Sequence, residues 1–192
     1  MTIIRYISHP ESAVDPTIAV TQWALSPRGL ERARRLLDQP WVPQIRRVVT
    51  SPEAKAIALA SLLGEHLRVD VEVRESTGEI DRSSTGFVPA DRHEHLADQF
   101  FAEPAQSVAG WETAAHAQRR VVTAFADLLA PDTAGDIALV GHGGVGTLLM
   151  CALADLPIDR VHDQPGQGHY WSYDTTDRRV MHRWEPIDAF SN

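Results

Sequence analysis

The chain has 192 residues, of which 43% are hydrophobic and 23% charged, a balance typical of one soluble globular domain. Its net charge of −8 argues against a nucleic-acid-binding protein, because a phosphate backbone requires a basic surface. The single cysteine, Cys151, excludes an internal disulfide, and no apolar run is long enough to cross a membrane. The first residues lack the pattern of a secretory signal, so we expect a cytoplasmic protein without membrane contact.

Strands and helices are predicted to alternate along the chain. Short apolar runs predict strands at residues 3–7, 46–50, 69–73 and 136–140, and a terminal strand pair at 168–173 and 179–184. Periodic apolar positions predict helices at residues 27–38, 52–66, 111–129 and 143–153, the first two opened by the Ser-Pro pairs at 26–27 and 51–52. This order predicts an α/β fold: a three-layer α/β/α sandwich with a mostly parallel sheet, as one domain over residues 1–192.

An irregular insert interrupts this pattern at about residues 76–110, with one short helix predicted at 91–101. Such a segment on a regular scaffold is typical of a lid or a substrate loop, and plain surface is the alternative. The aromatic residues Phe87, Phe100 and Phe101 lie in this insert. We expect them to seal the insert onto the sheet rather than to line the mouth of a binding site.

Two histidines close predicted strands and lead into turns. His9 closes the first predicted strand, in the segment Ile-Arg-Tyr-Ile-Ser-His-Pro-Glu. His142 closes a later strand and precedes a helix, in the segment Val-Gly-His-Gly-Gly-Val-Gly. Open α/β sheets bind ligands at such places, because backbone N–H groups there point toward an anion. Two imidazoles at strand ends therefore indicate a nucleophile and its partner in phosphoryl transfer.

The glycines around His142 have a second interpretation. Residues 141–146 show the Gly-x-Gly-x-x-Gly spacing of dinucleotide-binding sites. Those sites follow the first strand, and an acidic residue ends a second strand about 20 residues further on. No such strand is predicted between residues 151 and 163, so we favour glycines that let the chain turn sharply beside His142. His93 and His95 alternate as metal ligands would, but no third ligand accompanies them at a suitable spacing.

Taken in order, these motifs resemble the histidine phosphatase superfamily, in the branch that includes the cofactor-dependent phosphoglycerate mutases. The resemblance covers about residues 2–150. That family has an Arg-His-Gly-Glu motif whose histidine is phosphorylated during turnover, and His9 in Ser-His-Pro-Glu matches it. Its motif Thr/Ser-Ser-x-Leu-x-Arg-Ala, whose arginine holds the phosphate, corresponds to Thr-Ser-Pro-Glu-Ala-Lys-Ala at residues 50–56, with Lys55 at the arginine. His142 matches the family's Ser/Gly-His-Gly histidine.

The resemblance also implies an acidic residue after the third strand, which protonates the leaving group. Glu79 in Thr-Gly-Glu matches best, with Glu75 and Asp81 as alternatives. The chain departs from the family at Ser8 and Lys55, since both positions lose the charged bidentate fork of an arginine. Pro10, in place of glycine, removes a backbone N–H near the phosphate. We expect Arg82, three residues after Glu79, to restore the positive charge.

The resemblance therefore implies a phosphomonoester hydrolase that acts on a small phosphorylated molecule through a phosphohistidine. His9, Glu79 and His142 are the expected catalytic residues, and Ser8, Lys55 and Arg82 the expected phosphate ligands, with neither metal nor cofactor required. A weakly active or inactive relative that binds a phospholigand is the first alternative. A phosphoglycerate-type mutase is the second, disfavoured because the family's Asn-x-x-Phe-x-Gly stretch is replaced by Asp-Pro-Thr-Ile at residues 15–18. Substrate identity and oligomeric state are left open.

Overall fold

A six-stranded sheet forms the centre of the protein, whose structure is a computed structural model that describes residues 2–129 and 135–189. Its spatial order is β3-β2-β4-β1-β5-β6. The first four strands run parallel, whereas β5 is antiparallel to β1 and β6 is antiparallel to β5. The mostly parallel sheet is thus confirmed, and the predicted terminal strand pair forms its antiparallel edge. The strands are β1 (Ile3–Ser8), β2 (Ile45–Thr50), β3 (Val71–Val73), β4 (Asp136–Gly141), β5 (His169–Asp174) and β6 (Arg179–Pro186).

Helices cover both faces of this sheet. The first begins as its sequence predicts: Pro27 stands in its first turn, and the Ser26 hydroxyl accepts a hydrogen bond from the Gly29 N–H at 3.0 Å. The second begins at Ala54 rather than at Pro52, and Glu53 rather than Ser51 is its N-cap. The helices in the described residues are α1 (Pro27–Leu36), α2 (Ala54–Leu67), α3 (Ala90–Ala102), α4 (Ala114–Leu129) and α5 (Gly143–Leu153). None of them is long and apolar enough to cross a membrane.

Two apolar clusters fill the space between the layers. Alternate residues of β1 supply both, because successive side chains of a strand point to opposite faces: Ile4 and Tyr6 enter one cluster and Ile7 the other. The first cluster packs α3, α4 and α5 against the sheet, and the second packs α1 and α2 against it. This arrangement is the expected three-layer sandwich.

The insert lies against the first cluster. Its helix α3 covers residues close to those predicted. Phe100 and Phe101 are only 1% and 3% exposed, as expected of residues that seal the insert onto the fold, but both also line a cavity beside the strand ends. Phe87 differs, since it is 38% exposed. Arg160 ties α3 to the segment after α5 through Glu94 and Asp98, with N–O distances of 2.5 and 2.9 Å. The insert therefore forms one wall of the space above the strand ends.

Candidate active site

His9 and His142 lie side by side at the carboxyl ends of neighbouring strands. β1 pairs with β4 in parallel register, with Ser8 opposite Gly141, so the residues that follow the two strands emerge together. The His9 N–H donates to the Gly141 carbonyl at 3.0 Å. The two imidazole centroids are 5.2 Å apart and the rings stand nearly edge to face. Strand pairing thus brings together the two histidines that the sequence places far apart.

The ring of His9 is held in one orientation and is neutral. Its Nδ1–H donates to the Pro10 carbonyl at 2.8 Å, which leaves the lone pair on Nε2. Burial, followed by the influence of His142, lowers the pKa of His9 to about 3, so the ring is neutral at neutral pH. A neutral imidazole of fixed orientation is the form that attacks phosphorus.

His142 is held at both its backbone and its ring. The Tyr6 hydroxyl donates to the His142 carbonyl at 2.9 Å and accepts from its N–H at 3.0 Å. Ser51 Oγ lies 2.6 Å from Nε2 and also accepts the Glu53 N–H at 3.4 Å. A carboxylate oxygen of Glu53 lies 3.4 Å from the same nitrogen, so both neighbours contact the ring at Nε2. Nδ1 is buried and has no partner in the described ranges, so it is the nitrogen left for a ligand.

The glycines near His142 make room for Tyr6. A Cβ placed on Gly141 would lie 2.4 Å from the Tyr6 oxygen, and one on Gly146 would lie 2.3 Å from its ring. Such distances are well inside van der Waals contact. The middle glycine of the spacing, Gly143, leaves room for Gln164 instead, since its Cβ would lie 2.1 Å from the Gln164 amide nitrogen. The three glycines are thus explained by close packing of these two side chains, without a dinucleotide.

Glu53 joins the charged groups of the site, although the sequence motifs did not single it out. One carboxylate oxygen lies 2.5 Å from Lys55 Nζ. The other accepts the Glu79 N–H at 3.0 Å and lies 3.4 Å from His142 Nε2. Burial opposes its charge, but the neighbouring His142 and Lys55 and these hydrogen bonds hold the pKa of Glu53 at about 2. The one feature of the sequence that could have indicated this role is that Glu53 stands where the motif Thr/Ser-Ser-x-Leu-x-Arg-Ala has leucine.

Lys55 lines the cavity, as the motif predicts, but its ammonium group already binds other residues of the protein. The residue is 4% exposed, and its Nζ also donates to the Val20 carbonyl at 2.9 Å. The positive charge near the histidines is therefore balanced by Glu53. The ammonium also fixes the segment that contains Val20.

Glu79 is the acidic candidate that lines the cavity beside the histidines, whereas Glu75 and Asp81 are exposed and do not line it. The Glu79 carboxylate accepts the Gly144 and Val145 N–H groups, at 3.2 and 3.0 Å, at the start of α5. The Ile80 N–H adds a third hydrogen bond at 3.0 Å. The helix N-terminus therefore holds this carboxylate in a single orientation.

The structure places the two other expected phosphate ligands differently. Arg82 lines the cavity, and its guanidinium carbon lies 5.5 Å from the centre of the Trp111 ring. Ser8 does not line the cavity. Its buried hydroxyl donates to Gln164 Oε1 at 2.5 Å and accepts the His169 N–H at 3.0 Å. Ser8 thus lacks a free donor for a ligand and instead orients Gln164, which does line the cavity.

A cavity of about 600 Å³ opens beside these groups. No three His, Cys, Asp or Glu side chains converge to hold a metal ion anywhere in residues 2–129 and 135–189. Apolar side chains from the 11–25 segment and the insert share the lining with the charged groups. The charged, polar and apolar lining residues include His9, Val14, Trp23, Lys55, Glu79, Ile80, Arg82, Phe87, Val88, Trp111, His142 and Gln164.

The buried histidines make folding stability depend on pH. Burial lowers the pKa of His142 from 6.5 to about 4. Between pH 6.5 and pH 4 the imidazole is therefore protonated in the unfolded chain but not in the folded protein. The stability due to this shift is complete above pH 6.5, is about 3 kcal/mol, and is lost as the pH falls through about 4. We expect urea unfolding to show that the free energy of unfolding falls as the pH is lowered from 6.5 to 4, and that it falls less steeply with pH in His142→Asn. His95→Asn, at an exposed position, should keep the wild-type pH dependence of the free energy of unfolding. An unchanged pH dependence in His142→Asn would show that His142 does not cause it.

The chain matches the family model of the histidine phosphatase superfamily (branch 1) over residues 16–181, a range that begins after His9. No curated protein matches the sequence. The fold is shared with a mycobacterial glucosyl-3-phosphoglycerate phosphatase, at a TM-score of 0.75 and 19% identity over 100% of both chains. It is also shared with a phosphoserine phosphatase from Entamoeba histolytica in complex with 3-phosphoglyceric acid, at a TM-score of 0.79 and 16% identity over 98% of this chain and 100% of that chain. The family match extends over most of the sequence and agrees with the motif resemblance, so the chain belongs to the histidine phosphatase superfamily, branch 1.

Proposed function

We propose that the protein hydrolyses phosphomonoesters through a phosphohistidine formed on His9. The observation that supports this most strongly is the state of the His9 ring. Its Nδ1–H is committed to the Pro10 carbonyl, its Nε2 keeps a lone pair, and the ring lies against His142 in the cavity. Catalysis of phosphoryl transfer rests on positioning and on charge stabilisation, and the surrounding residues provide both.

The proposed reaction has two steps. The Nε2 lone pair attacks phosphorus, the ester P–O bond breaks, and its electron pair goes to the leaving oxygen, which takes a proton from Glu79. Water then attacks the phosphohistidine and passes a proton to the Glu79 carboxylate, and the P–N electron pair returns to His9. The products are the alcohol and phosphate. Glu79 thus alternates between acid and base.

Donors for the phosphoryl oxygens come from several elements. His142 offers the Nδ1–H that has no partner among the described residues, and Lys55 and Arg82 offer positive charge. We assign Gln164 to the place that the sequence suggested for Ser8. With its oxygen occupied by the Ser8 hydroxyl, the amide keeps its N–H donors for a ligand. In this proposal neither a metal nor a cofactor takes part.

A phospholigand-binding protein without turnover is the second candidate. The observation that favours it is the pairing of Lys55 with Glu53, which reduces the net positive charge beside His9. The same ligand class, a small phosphorylated molecule or inorganic phosphate, would then bind and leave unchanged.

One experiment separates the two candidates. The protein is mixed with a panel of phosphomonoesters, phosphate release is measured, and a sample is quenched in alkali, in which a phosphoramidate survives. Hydrolysis predicts released phosphate and a phosphoryl group on the peptide that contains His9. Thermal stabilisation by phosphate or vanadate, without release from any ester, would instead support the binding protein.

A further inference from the structure

We infer that the cavity contains a subsite for an apolar, ring-sized group attached to the phosphate, formed by Trp23 and Phe87. This inference rests on the proposed function, because it specifies which phosphate compounds the site accepts. Both side chains line the same cavity as His9 and His142. Their ring centroids are 5.9 Å apart, with the planes tilted by 59°.

Phe87 is the first observation in its favour. It is 38% exposed although it stands in an insert whose other phenylalanines are buried. Val14, which lines the same cavity, is 58% exposed. Apolar surface that faces a cavity, rather than the core or bulk solvent, is typical of ligand pockets. The two residues therefore present uncovered apolar surface to whatever group leads away from the phosphate.

Trp23 is held in place before any ligand binds. Its ring N–H donates to the Asp15 carbonyl at 2.8 Å. The Asp15 carboxylate in turn accepts the Thr17 N–H and hydroxyl at 2.9 and 2.6 Å, which closes the turn. The Val20 carbonyl of the same segment accepts Lys55 Nζ at 2.9 Å. The ammonium proposed to hold phosphate therefore also anchors the segment that carries the aromatic ring, and a rigid ring binds at a lower entropic cost.

Two charged residues of the cavity lining, Arg160 and Asp163, are already paired. Arg160 binds Glu94 and Asp98. Asp163 accepts the Thr147 hydroxyl at 2.9 Å and the Gln164 N–H at 2.8 Å. Arg160 is therefore not a free cation for a second anionic group, such as the carboxylate of a phosphorylated acid, and Arg82 is the cation assigned to the phosphate itself. An apolar group matches the surface that is left.

Binding of phosphonates tests the subsite directly, because a phosphonate cannot be hydrolysed and the result does not depend on turnover. Dissociation constants for 2-phenylethylphosphonate and ethylphosphonate are measured by calorimetry. We expect the wild type to bind the ring compound about tenfold more tightly or better. In Trp23→Ala and in Phe87→Ala this preference should fall by about tenfold, and Trp23→Phe should retain most of it. Met181→Ala, which changes an exposed apolar residue on β6 outside the cavity lining, should keep the wild-type preference.

The outcomes separate this inference from the proposed function. Equal affinity of the wild type for both phosphonates, or an unchanged preference in both alanine variants, overturns the subsite and leaves the phosphate site intact. Failure of both phosphonates and of inorganic phosphate to bind overturns the proposed phosphate site and the subsite with it. A ring preference that disappears in the alanine variants establishes the subsite, whether or not esters are hydrolysed.

Discussion

The His9→Ala variant is expected to lose phosphate release from every ester that the wild type cleaves, with kcat/KM reduced on the order of 10³ or more. The reason is chemical: no other group would form the covalent intermediate, and the lone pair on Nε2 is fixed by the hydrogen bond from Nδ1 to Pro10. Phosphate release and alkaline trapping of the phosphoprotein are measured side by side. Both signals should disappear together.

Two controls make this result specific to the nucleophile. His95→Ala makes the same chemical change at an exposed position on α3 and should retain wild-type rates. Vanadate should still stabilise His9→Ala against heat, since Lys55, Arg82 and His142 remain in place. Continued release by His9→Ala, at more than about a hundredth of the wild-type rate, would mean that another group or water attacks phosphorus. Loss of vanadate binding would point to a misfolded site instead.

The elements of this fold follow from local patterns in the sequence, whereas the partners of its site residues do not. Apolar periodicity and Ser-Pro starts place the strands and helices close to their observed bounds, because these signals act over a few residues. His9 and His142 could be placed together because each ends a strand, and parallel strands of one sheet bring their carboxyl ends to one edge.

The departures from expectation arise from contacts between distant residues. Ser8 is a predicted phosphate ligand because it stands at the arginine of the family's first motif, yet its hydroxyl donates to Gln164, which no local pattern places beside it. Tyr6 has the pattern of a core residue on β1, and only the glycines at 141 and 146 hint that it packs beneath His142. Glu53 stood in a motif position normally held by leucine. Its role follows from three partners that lie on α2, on the loop after β3 and on the loop after β4.

Glu53→Gln is expected to destabilise the protein by about 3 kcal/mol, because it removes the counter-ion of a lysine that is 4% exposed. Urea unfolding measures this loss. The double variant Glu53→Gln/Lys55→Met should recover a large part of it, since neither buried charge is then left alone. Glu72→Gln is the matched control, because Glu72 pairs with Arg47 and Arg74 outside the cavity lining. Strict additivity of the two single changes would contradict a coupled pair.

The same substitution should move phosphate affinity in the opposite direction. Glu53 places a negative charge within 3.4 Å of His142 Nε2, and its removal frees the Lys55 ammonium for a bound anion. Phosphate is therefore expected to bind Glu53→Gln about tenfold more tightly, while Glu72→Gln keeps the wild-type affinity. If the Glu53 carboxylate only supported the fold, its loss would lower both the stability and the phosphate affinity. Lower stability with tighter phosphate binding would identify Glu53 as the group that restrains Lys55 in the free protein, and weaker binding would assign it a structural role alone.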